Sequence, residues 1–409
     1  MRKVLGLALG ILTAIGGFLD IGDLVTNAVV GSRFGLSLGW VVVVGVIGIC
    51  VFAQMAGRVA AVSGRATFEL IRERLGPRVA VLNLGASFLI NLMTLTAEVG
   101  GVALAIQLIT SVSYLLWVPF AAVAVWLVIW RVRFTIMENV AGLVGLCLIG
   151  FAVALILLNP DWSDLGRQAV QGVSTGTEKV STYWFYAVAL FGAAMTPYEV
   201  FFFSSGAVEE GWTVKDLAQS RANVLVGFPL GGVLSLAIAG CAAVVLLPQL
   251  IAVTALSQVM LPVAEAGGKI LLAFIILGVV AATFGAALET TLSAGYTIAQ
   301  FFGWPWGKFR PPAKAARFHL LMIVCLILGI GTLLTGVDPI TVTEISVVFS
   351  AVALPLTYLP ILIVANDPEY MGEHVNGRTL NGIALVYMVI ILIASIAAIP
   401  LLIITGAGQ

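Results

Sequence analysis

Apolar runs of about 18 residues or more recur along the whole 409-residue chain. Each is long enough to cross the roughly 30 Å hydrocarbon core of a bilayer as a helix. A helix is the solution because it satisfies its own backbone donors and acceptors where no water can do so. The charged fraction agrees: 10% of the residues are Asp, Glu, Lys or Arg, where a soluble domain carries about 25%. The expected class is an all-α polytopic membrane protein.

The runs predict eleven spans, at 5–30, 37–57, 79–110, 114–130, 137–158, 180–206, 221–247, 266–302, 318–336, 340–365 and 381–405. Several exceed about 20 residues and must tilt, break or emerge from the bilayer. Between the second and third, "GRVAAVSGRATFELIRERLGPR" reads as a short interfacial helix.

Basic residues orient these spans. With the N-terminus in the cytoplasm, sixteen of the twenty Lys and Arg fall on the inner side, leaving Arg33, Arg167, Lys179 and Lys269 outside. That asymmetry is the positive-inside pattern, and with eleven spans it puts the C-terminus outside. Met1, Arg2 and Lys3 lead into the first run, which reads as an uncleaved anchor. The location is an integral membrane one, of bacterial plasma-membrane type.

Two spans carry acids beside helix breakers. The first contains "FLDIGDLVTN", with Gly22 between Asp20 and Asp23. The sixth contains "GAAMTPYEVFFFSS", where Pro197 precedes Tyr198 and Glu199. Proline removes a donor and clashes with the preceding turn, and broken backbone at membrane depth survives only where it is buried or lines a wet cavity. The first and sixth spans each open a group of five. Five is odd, so the second group is inverted relative to the first. Interrupted helices at matching places in inverted halves point to a transport site.

A charged side chain at this depth costs about 2.5–3.5 kcal/mol or more. On a continuous helix Asp20 and Asp23, three apart, would share a face and repel. Unwinding at Gly22 would turn both to one point, where a cation relieves the repulsion. The donors available across from them are the Ala193 carbonyl, freed by the break, and the Thr196 hydroxyl. An oxygen set of this kind suits hard divalent cations. The histidines, His319 and His374, lie near span ends, and Met195 is expected to pack on another face. Glu98 either lines the pathway or balances a basic residue such as Arg317. Glu199 either faces the cation or pairs near the end of its span. Glu289 and Glu344 are further intramembrane acids, for which function is the default reading.

The four cysteines, Cys50, Cys147, Cys241 and Cys325, sit in apolar runs at no metal or disulfide spacing. No nucleophile–base pair, phosphate loop or cofactor motif is present, so an enzyme is not expected.

These segments resemble the Nramp transition-metal transporters along nearly the whole chain. "FLDIGDLVTNAVVGSRFG" is similar to the family's first-span segment, "TAEVGGVALAIQL" to its third-span Ala-Glu-Val-Ile-Gly segment, "GAAMTPYEVFFFSS" to its sixth-span segment, and "YMGEHVN" to a motif before the eleventh span. The resemblance implies a LeuT-like fold: one transporter domain over 1–409, with inverted repeats at about 5–158 and 180–365 and an extra helix at about 381–405.

The departures bear on the cargo. The resemblance implies a ligand set in which Asp20 and the Ala193 carbonyl are kept. Asp23 replaces an asparagine, Thr196 a methionine, and Val347 a tenth-span glutamine that assists the ion. Tyr198 replaces a histidine and Leu95 a proton-accepting aspartate, while Glu98 is kept. The pattern is similar to the Nramp-related magnesium transporters. It implies a secondary transporter of Mg2+, and of Mn2+ as well, working by alternating access without proton coupling. The alternatives are a proton-coupled Mn2+ or Fe2+ importer and an amine permease on the same fold. The metal is cargo, no cofactor is expected, and the partners are the ion and the bilayer. Nothing points to nucleic acid, and no feature speaks to oligomeric state.

Overall fold

The computed structural model describes residues 19–171 and 178–408. Residues 5–18, the first half of the first expected span, lie outside them. All regular structure among the described residues is helical. Nine helices there are long and apolar enough to cross a membrane.

The first described helix, α1, runs Ile21–Phe34 and is followed by α2, Gly39–Ser63. Next come α3, Thr67–Thr110, and α4, Tyr114–Arg131. In place of the expected fifth span stand α5, Phe134–Gly145, and α6, Ile149–Leu157, joined by a single 3-10 turn and not among those nine. A short helix α7, Trp162–Val170, leads to the broken pair α8, Val180–Ala194, and α9, Pro197–Glu209. Then follow α10, Leu217–Val245; α11, Leu256–Phe302; α12, Ala316–Leu334; and α13, Pro339–Ala365. One turn, α14, Pro368–Met371, precedes α15, Arg378–Thr405.

Two of the long helices share a construction. The backbone leaves helical geometry inside α3 at Gly76 (φ 79) and inside α11 at Gly268 (φ 61). Both conformations have positive φ, where a Cβ is strained. In each helix an initial arm therefore turns into a long membrane-length segment. The interfacial helix expected before the third span is that first arm of α3, continuous in chain with it.

Burial sorts the helices into centre and rim. The broken span Val180–Glu209 is 94% buried over its most apolar window, whereas the corresponding figure for Arg378–Thr405 is 28%. The exposed side of α15 carries Leu385, Val386, Val389, Ile393 and Ile396. An apolar surface of this extent is stable only against lipid or another protein. In the interior, α1 packs on α10, and α3 packs along both α11 and α13. The broken ends of α1 and α8–α9 thus lie among α3, α13 and α10.

Candidate functional site

The start of α1 differs from the break expected at Gly22. Among the described residues Leu19 and Asp20 precede the helix, and Asp20 is its extended N-cap (φ −91, ψ 179). Gly22 is already in the first turn. The physical reason is capping: the Asp20 Oδ1 accepts the Asp23 N–H at 2.7 Å, satisfying a donor that a helix start leaves open. What Gly22 supplies is close approach. A Cβ there would stand 2.9 Å from Val347 Cγ1 and 3.0 Å from Asp20 Oδ1.

A second carboxylate completes the cap. The Ile21 N–H donates to Glu98 Oε1 at 3.1 Å. Both acids therefore sit at the positive end of the α1 dipole, where negative charge is stabilised. Glu98 is buried against this helix end, while Arg317 is placed over the Trp304 ring. With these two donors taken by protein carboxylates, less of the helix end is left to hold a substrate's carboxylate.

The second break lies where the proline demands it. Met195 (φ −110, ψ 59) and Thr196 (φ −64, ψ 118) leave the helix, and Pro197 opens α9. Pro197 has no N–H to give to Ala193, so the Ala193 carbonyl accepts instead from the Thr196 hydroxyl at 3.1 Å. Met195 points elsewhere: a Cβ on Gly48 would be 2.7 Å from its sulfur. The Met195 carbonyl accepts from Tyr358 at 3.2 Å.

Between the two breaks is a cavity of about 10 Å³, room for about one water. Asp20 and Glu98 supply its carboxylates, and Thr196 reaches it from the second break. Thr94, Thr343, Ser346 and Ser350 add hydroxyls, while Val347 forms part of the wall. Thr94 and Ser346 hydrogen-bond across α3 and α13 at 3.0 Å. The α13 members recur at intervals of three and four, which is one face of a helix. That "TVTEISVVFS" spacing is the sequence signal by which they could have been found.

The structure does not bring all the expected residues together. Asp23 is turned away from this cavity: Asn27 Nδ2 donates to its Oδ1 at 2.9 Å, and the Ser235 hydroxyl of α10 donates to Oδ2. The two aspartates do not converge in this conformation, because neighbouring donors already satisfy Asp23. Tyr198 does reach the site, donating to Asp20 Oδ2 at 3.3 Å. Glu199 does not line the cavity; it pairs with Glu289 of α11. Leu95 is buried among apolar residues of α3, α4 and α12. Among the described residues no three His, Cys, Asp or Glu side chains gather into a metal-binding group.

The arrangement is a buried, oxygen-lined point between two broken helices. Known proteins share the fold that holds it. The Eremococcus coleocola manganese transporter, in complex with an aromatic bis-isothiourea substituted compound, superposes with a TM-score of 0.72 at 18% identity, covering 95% of this chain and 84% of that one. A Na+-coupled sialic acid symporter superposes with a TM-score of 0.65 at 12% identity, covering 98% and 89%. The fold is therefore LeuT-like. In sequence, the chain is 25% identical over 394 residues to the divalent metal cation transporter MntH of Deinococcus radiodurans, covering 92% of this chain and 85% of the relative. The Natural resistance-associated macrophage protein-like family model matches residues 10–400, and the chain belongs to that family, one of integral membrane transporters and not of enzymes.

Proposed function

We propose that this protein carries a divalent metal cation across the membrane by alternating access, with Mg2+ as the first cargo and Mn2+ as a second, and without a coupled proton. One observation carries the reading. The cavity between the breaks offers carboxylate and hydroxyl oxygen, and the nearby thioether of Met195 faces another helix. Oxygen alone suits Mg2+ and Mn2+ better than softer ions.

Asp20 and Thr196 are the direct ligands in this reading. Ala193 and Asp23 join them when the Thr196 hydroxyl and the Ser235 contact release. Tyr198 and Glu98 hold Asp20 and the helix end in place. The orientation proposed has the N-terminus in the cytoplasm and the C-terminus outside, on the strength of the basic-residue asymmetry. Repeat one is about 5–158 and repeat two about 180–365. A membrane potential of 100 mV then supplies about 4.6 kcal/mol for a divalent ion, so a proton gradient is not required.

A specific contact favours a second reading, the proton-coupled Mn2+ or Fe2+ importer. Glu199 and Glu289 pair within the membrane, and two carboxyl groups sharing a hydrogen bond hold a proton between them. The test is uptake by proteoliposomes holding one dye for metal and one for internal pH. Mg2+ entry without acidification is expected. Acidification that survives a voltage clamp overturns the uncoupled mechanism, and Mn2+ uptake with no Mg2+ uptake overturns the cargo assignment.

A further inference from the structure

Glu344 plays no part in the cavity just described, yet it stands on the way to it. It borders two other cavities. One is wide, about 540 Å³, and is shared with Arg33, Glu178 and Tyr186. The other is narrow, about 10 Å³, with walls that include Val29, Phe185 and Val347. Val347 in turn lines the Asp20 cavity. The three cavities are thus linked in series by shared walls, with Glu344 at the first neck and Val347 at the second.

The wide cavity has a definite charge pattern. Arg33 Nε donates to Glu178 at 2.7 Å, and Arg33 Nη1 donates to the Tyr186 hydroxyl at 2.8 Å and to the Gly408 carbonyl. Its guanidinium also lies 5.0 Å from the centre of the Tyr186 ring. One carboxylate therefore balances the arginine, and Glu344 is left in excess, with Asp338 at the start of α13 adding the same sign from further off. Arg33 is also within electrostatic reach of Glu344, so the Glu178 pair is what keeps the arginine from cancelling it.

Size gives the excess carboxylate a use. An ion with six waters needs about 180 Å³ at roughly 30 Å³ per water. The wide cavity holds that; the narrow one has room for about a single water. Waters must leave at the neck, and the oxygens of Glu344 are there to replace them. Low-dielectric walls also focus the field of a fixed charge in a cleft.

We propose that Glu344 recruits the divalent cation in this vestibule, and that the Arg33–Glu178 pair sets how strongly the vestibule attracts it. The proposal rests on the transport reading above. The test measures initial Mg2+ and Mn2+ uptake in proteoliposomes oriented with the vestibule outward, for wild type, E344Q, E178Q, R33Q and E344D. E344Q raises KM about three- to tenfold, with a smaller change in maximal rate. E178Q shifts KM in the same direction, R33Q in the opposite one, and E344D stays near wild type. Added salt raises the wild-type KM and flattens the difference from E344Q, because screening removes the steering. An unchanged KM in a folded E344Q, or R33Q moving in the same direction as E178Q, overturns the vestibule assignment alone. No metal uptake by the wild type overturns the transport reading beneath it.

Discussion

The two ends of the helix bundle are held together differently. At the arginine-rich end, Glu209 at the close of α9 accepts from the Tyr296 hydroxyl at 2.7 Å and from the backbone of Lys308 at 2.6 Å. Nearby, Trp306 donates to Glu69 at 2.9 Å, Arg72 to the Phe301 carbonyl, and Arg74 pairs with Asp367. Bonds from α3 and α9 thus reach the end of α11 and the segments that follow α11 and α13. At the opposite end a single cation, Arg33, ties α1 to Glu178, Tyr186 and Gly408 beside a 540 Å³ cavity. At the first end charged side chains make most of the contacts; at the second the Arg33 contacts are joined by neutral ones, from Tyr183 to the Ser37 carbonyl, from Trp40 to Tyr183 and from the Leu36 backbone to Gln168. Moving the first requires several hydrogen bonds to break together, some with charged partners worth about 1.5–3 kcal/mol each.

That comparison assumes both ends lead to Asp20, and its largest test is there. Asp20→Ala should reduce uptake roughly 100-fold, the upper range for losing even a supporting partner of a metal ligand, and cost about 1 kcal/mol through the lost cap. Asp20→Asn keeps the cap and should keep the melting temperature while losing uptake. Normal transport by Asp20→Asn would leave neither end leading to a ligand at this position.

A smaller effect is expected where the two broken helices touch α13. Gly22→Ala places a Cβ against Val347 and Asp20. Overpacking of this kind costs about 1–3 kcal/mol, and uptake should fall about tenfold. Truncating Val347 to Ala in the same protein should restore much of it. Thermal unfolding and uptake of the single and double variants check this; a single variant with wild-type behaviour would mean that the neck is loose.

Thr196→Met adds a thioether at a wall of the central cavity, midway between the ends. Affinity for Cd2+ relative to Mg2+ should rise about fivefold, because sulfur prefers softer ions. Calorimetry with both ions measures it, and an unchanged ratio would place Thr196 away from the cation.

The smallest expected effect concerns the arginine-rich end. Glu209→Gln weakens the contacts to Tyr296, Lys308 and Phe309 without removing them. Amide exchange at Lys308 and Phe309 should quicken about threefold, in keeping with the loss of a fraction of one hydrogen bond. Exchange near Gly408 should not change. Equal quickening at both sites would show the two ends to be coupled and not independently held.

Much of this was legible in the chain, but unevenly. Nine of the eleven expected spans were, because a run of apolar residues has few other places to go; the fifth is divided by a 3-10 turn and the first begins outside the described residues. Pro197 located the second break, since a missing N–H is a local property. Gly22 misled: the helix starts just before it, where Asp20 two residues earlier caps it, and a capping side chain can replace a flexible residue as the cause of a helix start. Asp23 looked equivalent to Asp20 in spacing, yet Asn27 and Ser235 claim it. Ser235 is more than 200 positions away, and nothing local announces it.

The sequence by itself therefore determined what depends on composition and on neighbours along the chain: which segments are apolar enough to enter the membrane, that the sixth is interrupted at Pro197, and that acids lie beside that interruption and at the start of α1. The tertiary structure decided which oxygens share a cavity. Glu98 joins Asp20 because α3 passes the start of α1, and Ser346 and Ser350 join them because α13 presents that face to α3 and α8. Met195 stays out because it packs towards Gly48 of α2. A side chain's direction around its helix, and the helix's rotation against its neighbours, follow from packing over the whole bundle. Hydropathy counts residues without seeing that rotation.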